Sequence, residues 1–251
     1  TQHIDWLAQH VGTGQSVGVD GMALSLSAAQ LLRQALTKVG ATLRTDVDVL
    51  AHIWPDRAGL PDQPVYEHQA PHACTPRQAK LARVRAAMAD QGATHHFVST
   101  VDDIAWLFNL RGADVPYNPV FLAHALITAD QATLFVADGK VPTELTVRLQ
   151  ADGVRVRPYT QASEALAALD AGAVLLLDPK RVTLGLRDSV PATVKVIEAI
   201  NPSVLQKSRK SAPEAVHVRE AMAQDGAAMC EFYAWFEAAL GHERITELTV
   251  D

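Results

Sequence analysis

The sequence has 251 residues, of which 48% are hydrophobic and 20% charged, and its formal net charge is -6. This composition excludes an intrinsically disordered chain, and the length suits one large domain or two smaller ones. Because the balance is mildly acidic and the basic residues are scattered, apart from the KSRK run at 207–210, we expect no nucleic-acid partner.

Two further features of the sequence bear on its compartment. The apolar runs are shorter than a bilayer-spanning helix, so we expect no membrane association. The two cysteines, Cys74 and Cys230, lie in different contexts, a loop and an apolar helix face, which argues against a disulfide framework. We therefore predict a cytoplasmic protein.

The two ends of the sequence are unusual for a self-contained protein. The chain starts at Thr1 without a methionine, and its last residues, ITELTVD, read as the opening of another element. We therefore expect a segment of a longer protein, and this expectation limits which functions the chain can perform alone.

The first part of the chain reads as a strand followed by a helix. VGVDG (17–21) is the strand, and Ser27 is the expected N-cap of a helix that Gly40 ends. The apolar segment 46–54 is expected to pack on this βα unit. The next segment, 55–71, contains four prolines, too many for a regular element, and we predict a linker there.

A second unit begins with a helix for which Thr75 is the expected N-cap and Pro76 the first helical residue, with its end near Gly92. Strand and helix patterns then alternate, which predicts an α/β domain with a mixed sheet. Two of the strands flank a three-residue connection and should form a hairpin. The predicted strands are 95–100, 120–128, 132–137, 154–159, 173–178 and 192–199, and the later helices are 141–153 and 161–172.

A third unit begins at Ser211, which has Glu214 at capping-box spacing and Pro213 in the first turn. A long helix should follow as far as Gly241. Its apolar residues recur every three or four positions, so the helix should present an apolar stripe that needs a large partner surface. We expect this stripe to cause self-association or docking onto the preceding domain.

The sequence carries few groups that could perform chemistry. His68, His72 and Cys74 form a ligand-like cluster, but a zinc site needs three or four ligands in a fixed geometry, and a solvated loop is the better interpretation. His95 and His96 are adjacent in a strand and should point to opposite faces. The carboxylates of 102–103 and 185–189 read as solvated turn residues. Phosphate-loop, zinc-protease and nucleophile-elbow motifs are absent from the sequence.

The stretch DDIAWLFNLRGADVPYNPVF (102–121) places Asn109 and Arg111 inside an apolar run, followed by a glycine and two prolines. Such polar residues lie where an apolar element ends, at an edge or a cleft. Two interpretations remain open for Arg111. It can help to shape a cleft, or it can pair with Asp103 or Asp114 and fix the loop, which is the more common role of an arginine beside a turn.

Several segments resemble one family of proteins. TVDDIAWLFNLRGADVPYNPVF (100–121) resembles the signature of the middle domain of three-domain Xaa-Pro aminopeptidases, the aminopeptidase P group of the creatinase-like, or pita-bread, metallopeptidases. TDVDVLAHIWPDRAGLP (45–61) resembles the end of their first domain. The segment 210–240 and the final ITELTVD are similar to the start of their third, catalytic domain, and these matches follow one another in the family's order.

The resemblance implies an α/β fold with two creatinase-N-terminal-like domains, each a mixed β-sheet flanked by helices, followed by the first long helix of a pita-bread catalytic domain. Residues 1–58 would be the later part of the first domain, 59–74 a linker, 75–205 the whole second domain and 206–251 the start of the catalytic domain.

The resemblance also implies the activity of the parent protein. Family members use two divalent metals, usually manganese, held by two Asp, a His and two Glu, and they remove the N-terminal residue from peptides with proline in the second position. Those ligands would lie beyond Asp251, so we assign no catalytic and no metal-binding residue here and expect the segment alone to be inactive. Asn109 and Arg111 are the candidates for shaping the substrate cleft, because the corresponding strand and loop face it in the family. A homodimer of the parent through its catalytic domain is also implied.

Two alternatives remain open at the level of the sequence. The chain can belong to a metal-free scaffold or interaction module of creatinase-like fold, or to an enzyme that hydrolyses another C–N bond, as creatinase does. The three-domain layout with LFNLRG argues against the latter, since creatinase and prolidase-like relatives have one N-terminal domain.

Overall fold

The computed structural model describes residues 2–48 and 50–250, and for His52 it describes the backbone alone. Helices and strands alternate along most of the chain, as the sequence pattern predicts. The elements are α1 Gln2–His10, β1 Ser16–Gly18, α2 Leu26–Lys38, β2 Thr42–Arg44, α3 Leu50–Ile53, β3 Tyr66–Glu67, α4 Arg77–Asp90, β4 His95–Val98, α5 Val101–Leu107, β5 Leu110–Arg111, β6 Ala123–Ile127, β7 Ala132–Val136, α6 Thr143–Ala151, β8 Val154–Pro158, α7 Gln161–Ala167, β9 Val174–Leu177, α8 Leu184–Asp188, β10 Lys195–Glu198, α9 Pro202–Ser208 and α10 Ala212–Ala239.

The chain divides into two compact units. The larger one, which we call the α/β unit, contains the residues up to Gln69 together with Thr75–Ser208. The smaller one, which we call the α10 unit, contains Ala70–Cys74 and the residues from Arg209 onward. The chain therefore passes between the two units three times.

The α/β unit is built on a six-stranded sheet in the order β10-β9-β4-β6-β7-β8. Strand β6 runs antiparallel to both of its neighbours, whereas the other pairs are parallel. The predicted hairpin is β6 and β7, and the predicted α/β class with a mixed sheet flanked by helices is confirmed.

Side chains alternate between the two faces of this sheet, and each face is covered by helices. Leu176 packs with one core, which α4, α5 and α6 complete, while Leu175 and Leu177 pack with the other, formed with α2, α7 and α8. Strand β9 is thus buried on both faces, as its continuous apolar sequence predicts. The sheet and these two helical layers form a support for the loops at its edges.

The first βα unit differs from the prediction in its cap. Ser25, not Ser27, is the N-cap of α2, and its hydroxyl accepts a hydrogen bond from the Ala28 amide at 3.3 Å. The reason is tertiary, because Ser25 forms a β-bridge with Thr183, which holds it in an extended conformation. The predicted end is confirmed, since Gly40 follows the helix with φ of 73°.

The prediction that 46–54 packs on the first unit is confirmed at the start of the segment, where Val47 lies beside Gly18 and Asp46 forms a β-bridge with Asp20. It is wrong for the later apolar side chains. Ile53 is 76% exposed, and Leu50 and Trp54 are about half exposed. Helix α3 has a single turn and the chain then enters the proline-rich segment, so little structure lies near these side chains. Val49 lies outside the described residues.

The proline-rich segment contains one regular element. Strand β3 pairs antiparallel with β5, with Tyr66 opposite Arg111 and Glu67 opposite Leu110. The next helix, α4, begins one residue later than predicted, because Pro76 is extended and occupies the N-cap position in place of Thr75. A two-residue strand is thus compatible with flanking prolines, which occupy positions outside the ladder.

The α10 unit contains the long helix predicted from Ser211. The capping box is confirmed, since the Ser211 amide donates to Glu214 at 2.8 Å and the Glu214 amide donates to the Ser211 hydroxyl at 3.4 Å. Many apolar side chains of the helix are exposed, among them Met222 and Tyr233. A ring contact between His72 and His217, with centroids 5.4 Å apart, joins the short segment 70–74 to the helix.

Candidate functional site

The signature stretch begins with helix α5 rather than a strand, and Asn109 forms the turn between α5 and β5. Its φ is 53°, in the left-handed region that Asn adopts more readily than most residues. The residue is 7% exposed. Its carbonyl accepts the His68 amide at 2.8 Å, and its Nδ2 donates to the Thr75 carbonyl at 2.9 Å. Asn109 therefore brackets both ends of the segment 69–74.

Lys80 lies beneath Asn109 and is 4% exposed. Its ammonium donates to the Asn109 Oδ1 at 2.6 Å and to the Trp106 carbonyl at 2.7 Å. It also lies 4.2 Å from the centroid of the Trp106 ring, in a cation-π contact. These groups compensate for the burial of the positive charge and fix the side chain of Asn109.

Arg111 follows in β5 and is half-buried. Its Nη1 donates to the carbonyls of Ala105 and Leu110, each at 2.9 Å. Burial lowers the pKa of its guanidinium, which nonetheless stays charged. The pairing with Asp103 or Asp114 expected from the sequence is wrong, since both of those carboxylates bind lysines. Arg111 instead ties β5 to the end of α5 through backbone carbonyls.

The loop after β5 has a buried base. Asp114 and Lys140 form an ion pair in which both side chains are almost completely buried, and Lys140 also donates to the Pro61 carbonyl at 3.1 Å. Lys140 binds both oxygens of Asp114, and one of them, Oδ2, also accepts the Leu122 amide at 2.7 Å. The tip of the loop is different, because Tyr117 is 94% exposed and has φ of 60°. The loop thus has a base fixed by a buried ion pair and an exposed aromatic side chain at its tip.

The N-terminus of α5 carries a second cluster of charges. Asp102 and Asp103 both bind Lys207, and Asp103 also accepts from the Asn201 side-chain amide at 3.2 Å. Burial by itself would raise the pKa of Asp102, but the hydrogen bond and charge of Lys207 outweigh it and hold that pKa below its usual value. The expectation of a solvated turn is wrong for Asp103, which is 1% exposed and lies in a helix.

Two histidines on strands of the six-stranded sheet, His96 and His124, are buried. His96 is fully buried, with Nδ1 3.0 Å from the Leu176 carbonyl, whereas the adjacent His95 lies on the other face and is partly exposed. His124 is 7% exposed and contacts the Ser99 hydroxyl at 2.8 Å. Burial lowers the pKa of His96 and of His124 to about 4 in each case. Both rings are therefore neutral structural groups at physiological pH.

A metal centre finds no support among the described residues. Within 2–48 and 50–250, no group of three or more His, Cys, Asp or Glu side chains could hold a metal ion, and this includes His68, His72 and Cys74. The side chains that the structure describes therefore do not form a metal centre. In the same ranges, no helix has the length and apolarity needed to cross a membrane.

Residues 56–214 match the sequence profile of the Creatinase/Prolidase N-terminal domain. The chain belongs to this family. The match spans the six-stranded sheet, α4, the bracket around Asn109 and the loop that carries Tyr117. The resemblance seen in the signature stretch is thus confirmed, and the segment around Asn109 is a part of the family's domain.

Several fungal relatives share nearly the whole chain. A Botryotinia fuckeliana protein named "Probable Xaa-Pro aminopeptidase P" is 33% identical over 96% of this creatinase-family chain and 38% of its own length. A Talaromyces stipitatus protein of the same name is 34% identical over 98% of this chain and 39% of its own. The chain spans about two fifths of the length of the curated relatives it matches.

A solved structure shares the fold. The X-prolyl aminopeptidase from Caenorhabditis elegans, described as a cytosolic enzyme with a di-nuclear active site, superposes with a TM-score of 0.87. The superposition covers 98% of this chain and 41% of the nematode protein, at 21% sequence identity. The architecture of this family member is therefore that of the corresponding part of the nematode structure.

The structure places the two residues singled out from the sequence in different roles. Asn109 is buried and forms hydrogen bonds with both ends of the segment 69–74, and Arg111 is a half-buried donor to backbone carbonyls. Sequence reasoning missed Lys80, although a signal was present, since it lies four and eight residues before the buried Val84 and Met88, on the same face of α4. A lysine on the apolar face of a helix has to find a buried acceptor, and Asn109 is one such acceptor.

Proposed function

We propose that the chain is a non-catalytic domain segment of a metal-dependent Xaa-Pro aminopeptidase. The parent protein would remove the N-terminal residue from peptides with proline in the second position. The observation that carries the proposal is the identity of about one third, over 96% or more of this chain, to proteins named as Xaa-Pro aminopeptidase P. Membership of the creatinase/prolidase N-terminal family supports the same class.

The chemistry would reside in the remainder of the parent protein. The described residues of this chain contain no cluster that could hold a metal ion, so no step of the reaction is assigned to them. Two divalent metals in the parent are suggested by the di-nuclear active site of the nematode enzyme, and manganese is our candidate. The segment alone should be inactive.

Residues 206–251, most of which belong to the α10 unit, would be the start of the catalytic domain. In the present chain, Met222, Met229 and Tyr233 are 41–59% exposed on one long helix. A helix of this apolarity normally packs against a large surface. The rest of the catalytic domain in the parent would supply this surface, and a homodimer of the parent would form through that same domain. A cytoplasmic location is proposed by analogy with the cytosolic nematode enzyme.

The substrate cleft would lie against the α/β unit in the parent protein. Asn109 and Arg111 remain our candidates for shaping it, although Asn109 is buried and Arg111 half-buried. The loop that carries the exposed Tyr117 follows Arg111 directly along the chain, and the Asp114–Lys140 pair holds the base of this loop in place. Their effect on substrate would thus be transmitted through this loop.

The test compares this 251-residue chain with the longer protein that contains it. Both are assayed for release of the first residue from an Xaa-Pro-Pro peptide, with and without added manganese, after chelation of bound metal. Manganese-dependent release by the longer protein alone is the expected result. A folded, metal-loaded longer protein that cleaves no such peptide would instead support the scaffold alternative, and release by the short chain would place the active site within it.

A matched peptide sharpens the assay. The same sequence with alanine in place of the second-position proline should be cleaved far more slowly, because the proposed specificity depends on that proline. Equal cleavage of the two peptides would make the parent a general aminopeptidase and contradict the Xaa-Pro assignment. Replacing manganese by zinc or cobalt in the assay tests the identity of the metal independently of the substrate.

A further inference from the structure

Three chain passages connect the α/β unit with the α10 unit. They lie after Gln69, after Cys74 and after Ser208. Each passage is covalent, so the direction in which the chain leaves the α/β unit depends on how the last residues before it are held. On the α/β side of the passages, Asn109 and Lys207 make contacts that lie within the α/β unit.

Asn109 forms hydrogen bonds with residues that flank the first two passages. Its carbonyl accepts the amide of His68, directly before the first passage, and its Nδ2 donates to the carbonyl of Thr75, directly after the second. One residue therefore closes the loop whose centre, Ala70–Cys74, belongs to the α10 unit. Its Oδ1 is held by Lys80, so the amide cannot rotate without loss of two hydrogen bonds.

Helix α5 also binds the chain just before the third passage. Lys207 lies one residue before the end of α9 and binds Asp102 and Asp103 at the first turn of α5. Burial by itself would lower the pKa of Lys207, but its hydrogen bonds to the two carboxylates raise it, so the ammonium is charged at neutral pH. Asn201 adds a hydrogen bond to Asp103 at the other end of α9.

The residues that make the contacts at the three passages thus lie in or directly after one short helix, α5. Helix α5 spans only Val101–Leu107, and Asn109 follows it by two residues. Ile104 and Leu107 are fully buried in the core, and the ammonium of Lys80 joins the Trp106 carbonyl of the helix to Asn109. We call α5 with Asn109 and Lys80 the α5 anchor.

We propose that the α5 anchor is a positioning device: it holds together the residues of the α/β unit that flank the three passages, so that the chain leaves this unit at fixed points. In the longer protein, catalysis would depend on these fixed points. This explains why the signature stretch places Asp102, Asp103 and Asn109 around an apolar core. The link to catalysis rests on the proposed function, whereas the fixing of the passages does not.

The first experiment measures hydrogen exchange by mass spectrometry on the 251-residue chain. Asn109→Gly retains the positive φ and the carbonyl but removes the side-chain bracket. Lys207→Met removes the ion pairs at the third passage. The matched control is Leu149→Ala, since Leu149 is fully buried on α6 and contacts none of the three passages through a hydrogen bond.

The expected pattern is local. Asn109→Gly should accelerate exchange in peptides that cover 68–76, and Lys207→Met should do so in those that cover 204–212. Each variant should also accelerate exchange in the peptides that cover the other variant's passage. Leu149→Ala should accelerate exchange in the core around α6 without this pattern. Wild-type exchange at the passages in both variants, or a uniform increase like that of the control, would overturn the proposal.

The second experiment measures kinetics in the longer protein at a temperature where every variant stays folded. A misplacement of about 1 Å can reduce a rate by roughly 10²-fold, so kcat/KM should fall roughly 10- to 100-fold in Asn109→Gly and Lys207→Met. Leu149→Ala should retain kcat/KM at an equal loss of Tm. Lys207→Arg, which keeps the charge, should restore activity.

The outcomes separate the anchor from the proposed function. Wild-type kcat/KM in both anchor variants, despite faster exchange at the passages, would contradict a positioning role. If the wild-type longer protein cleaves no Xaa-Pro peptide at all, the proposed function fails, and hydrogen exchange alone then decides whether the α5 anchor fixes the passages.

Discussion

Lys140 and Asp114 form an ion pair whose side chains are 1% and 0% exposed. The pair ties the loop after β5 to the turn after β7, and Lys140 also holds the proline-rich segment through the Pro61 carbonyl. A third bond, from the Val65 amide to the Lys140 carbonyl at 2.8 Å, joins the same two regions. One buried pair thus fixes the base of the loop that carries Tyr117.

Loss of one partner of this pair should be costly. Lys140→Met leaves the Asp114 carboxylate buried without its counter-ion, and such an uncompensated charge typically lowers the free energy of unfolding by about 3–5 kcal/mol. Urea denaturation of the wild type and the variant measures the difference. The double variant Lys140→Met, Asp114→Asn should recover part of the loss, because it removes the second charge as well.

The exposed pair Arg44–Asp46 is the control for this prediction. Its side chains are 58% and 69% exposed, so solvent screens the interaction. Arg44→Met should leave the urea midpoint nearly unchanged. A Lys140→Met variant as stable as Arg44→Met would mean that Asp114 is solvated or protonated in the folded protein, and the loop base would then not be fixed by charge.

Gly112 is required by the close approach of the loop to Phe121. A Cβ at position 112 would lie 2.7 Å from the Cβ of Phe121, whose side chain is fully buried and has no space to move. Gly112→Ala should therefore destabilise the protein by about 1–3 kcal/mol. Gly59→Ala, where no atom lies within 4 Å of the added Cβ, should change the urea midpoint little. Equal midpoints for the two variants would disprove the close approach.

Local signals in the sequence were sufficient for most of the elements. The continuous apolar run of β9, the hairpin of β6 and β7 and the capping box at Ser211 each depend on a few consecutive residues, and each is present. The cap of α2 was missed, because two serines compete and the choice is made by the bridge of Ser25 to Thr183, far along the chain. Local patterns cannot report such a partner.

The candidate site was predictable only in part, for the same reason. The sequence indicates that Asn109 and Arg111 are unusual, yet their partners are distant: Lys80 is 29 positions from Asn109, and Thr75 is 34. Hydrophobic periodicity indicates which face of a helix is buried. It does not indicate which buried acceptor satisfies a lysine on that face, so the bracket around 69–74 required the structure.

Two buried histidines should make the stability of the protein depend on pH. Burial lowers the pKa of His96 and of His124 to about 4, whereas a histidine in the unfolded chain titrates near its ordinary value of 6.5. Between these values the unfolded state binds more protons than the folded one. The stabilisation is therefore complete above about pH 6.5 and is lost as the pH falls towards 4.

Each of the two histidines should contribute about 3 kcal/mol to this loss, from the size of its pKa shift. The measurement is urea denaturation from pH 7.5 to pH 4.5. His124→Gln should flatten the profile over this range, while His3→Gln, on the exposed face of α1, should reproduce the wild-type profile. If His124→Gln retains the full pH dependence, the His124 ring is protonated in the folded protein and its neutral state is disproved.

Tyr117 occupies a strained backbone position without burial to compensate for it. Its φ is 60° and its side chain is 94% exposed, and a non-glycine residue in the left-handed region costs about 1–2 kcal/mol. Tyr117→Asn should therefore raise the free energy of unfolding by up to about 1 kcal/mol, because Asn adopts this region more readily. Tyr66→Asn, at an exposed strand position with ordinary φ, should not stabilise. Backbone strain of this kind is concentrated at functional positions. Tyr117→Asn in the longer protein should therefore lower kcat/KM while it raises Tm. An unchanged kcat/KM would assign the loop tip no part in peptide hydrolysis.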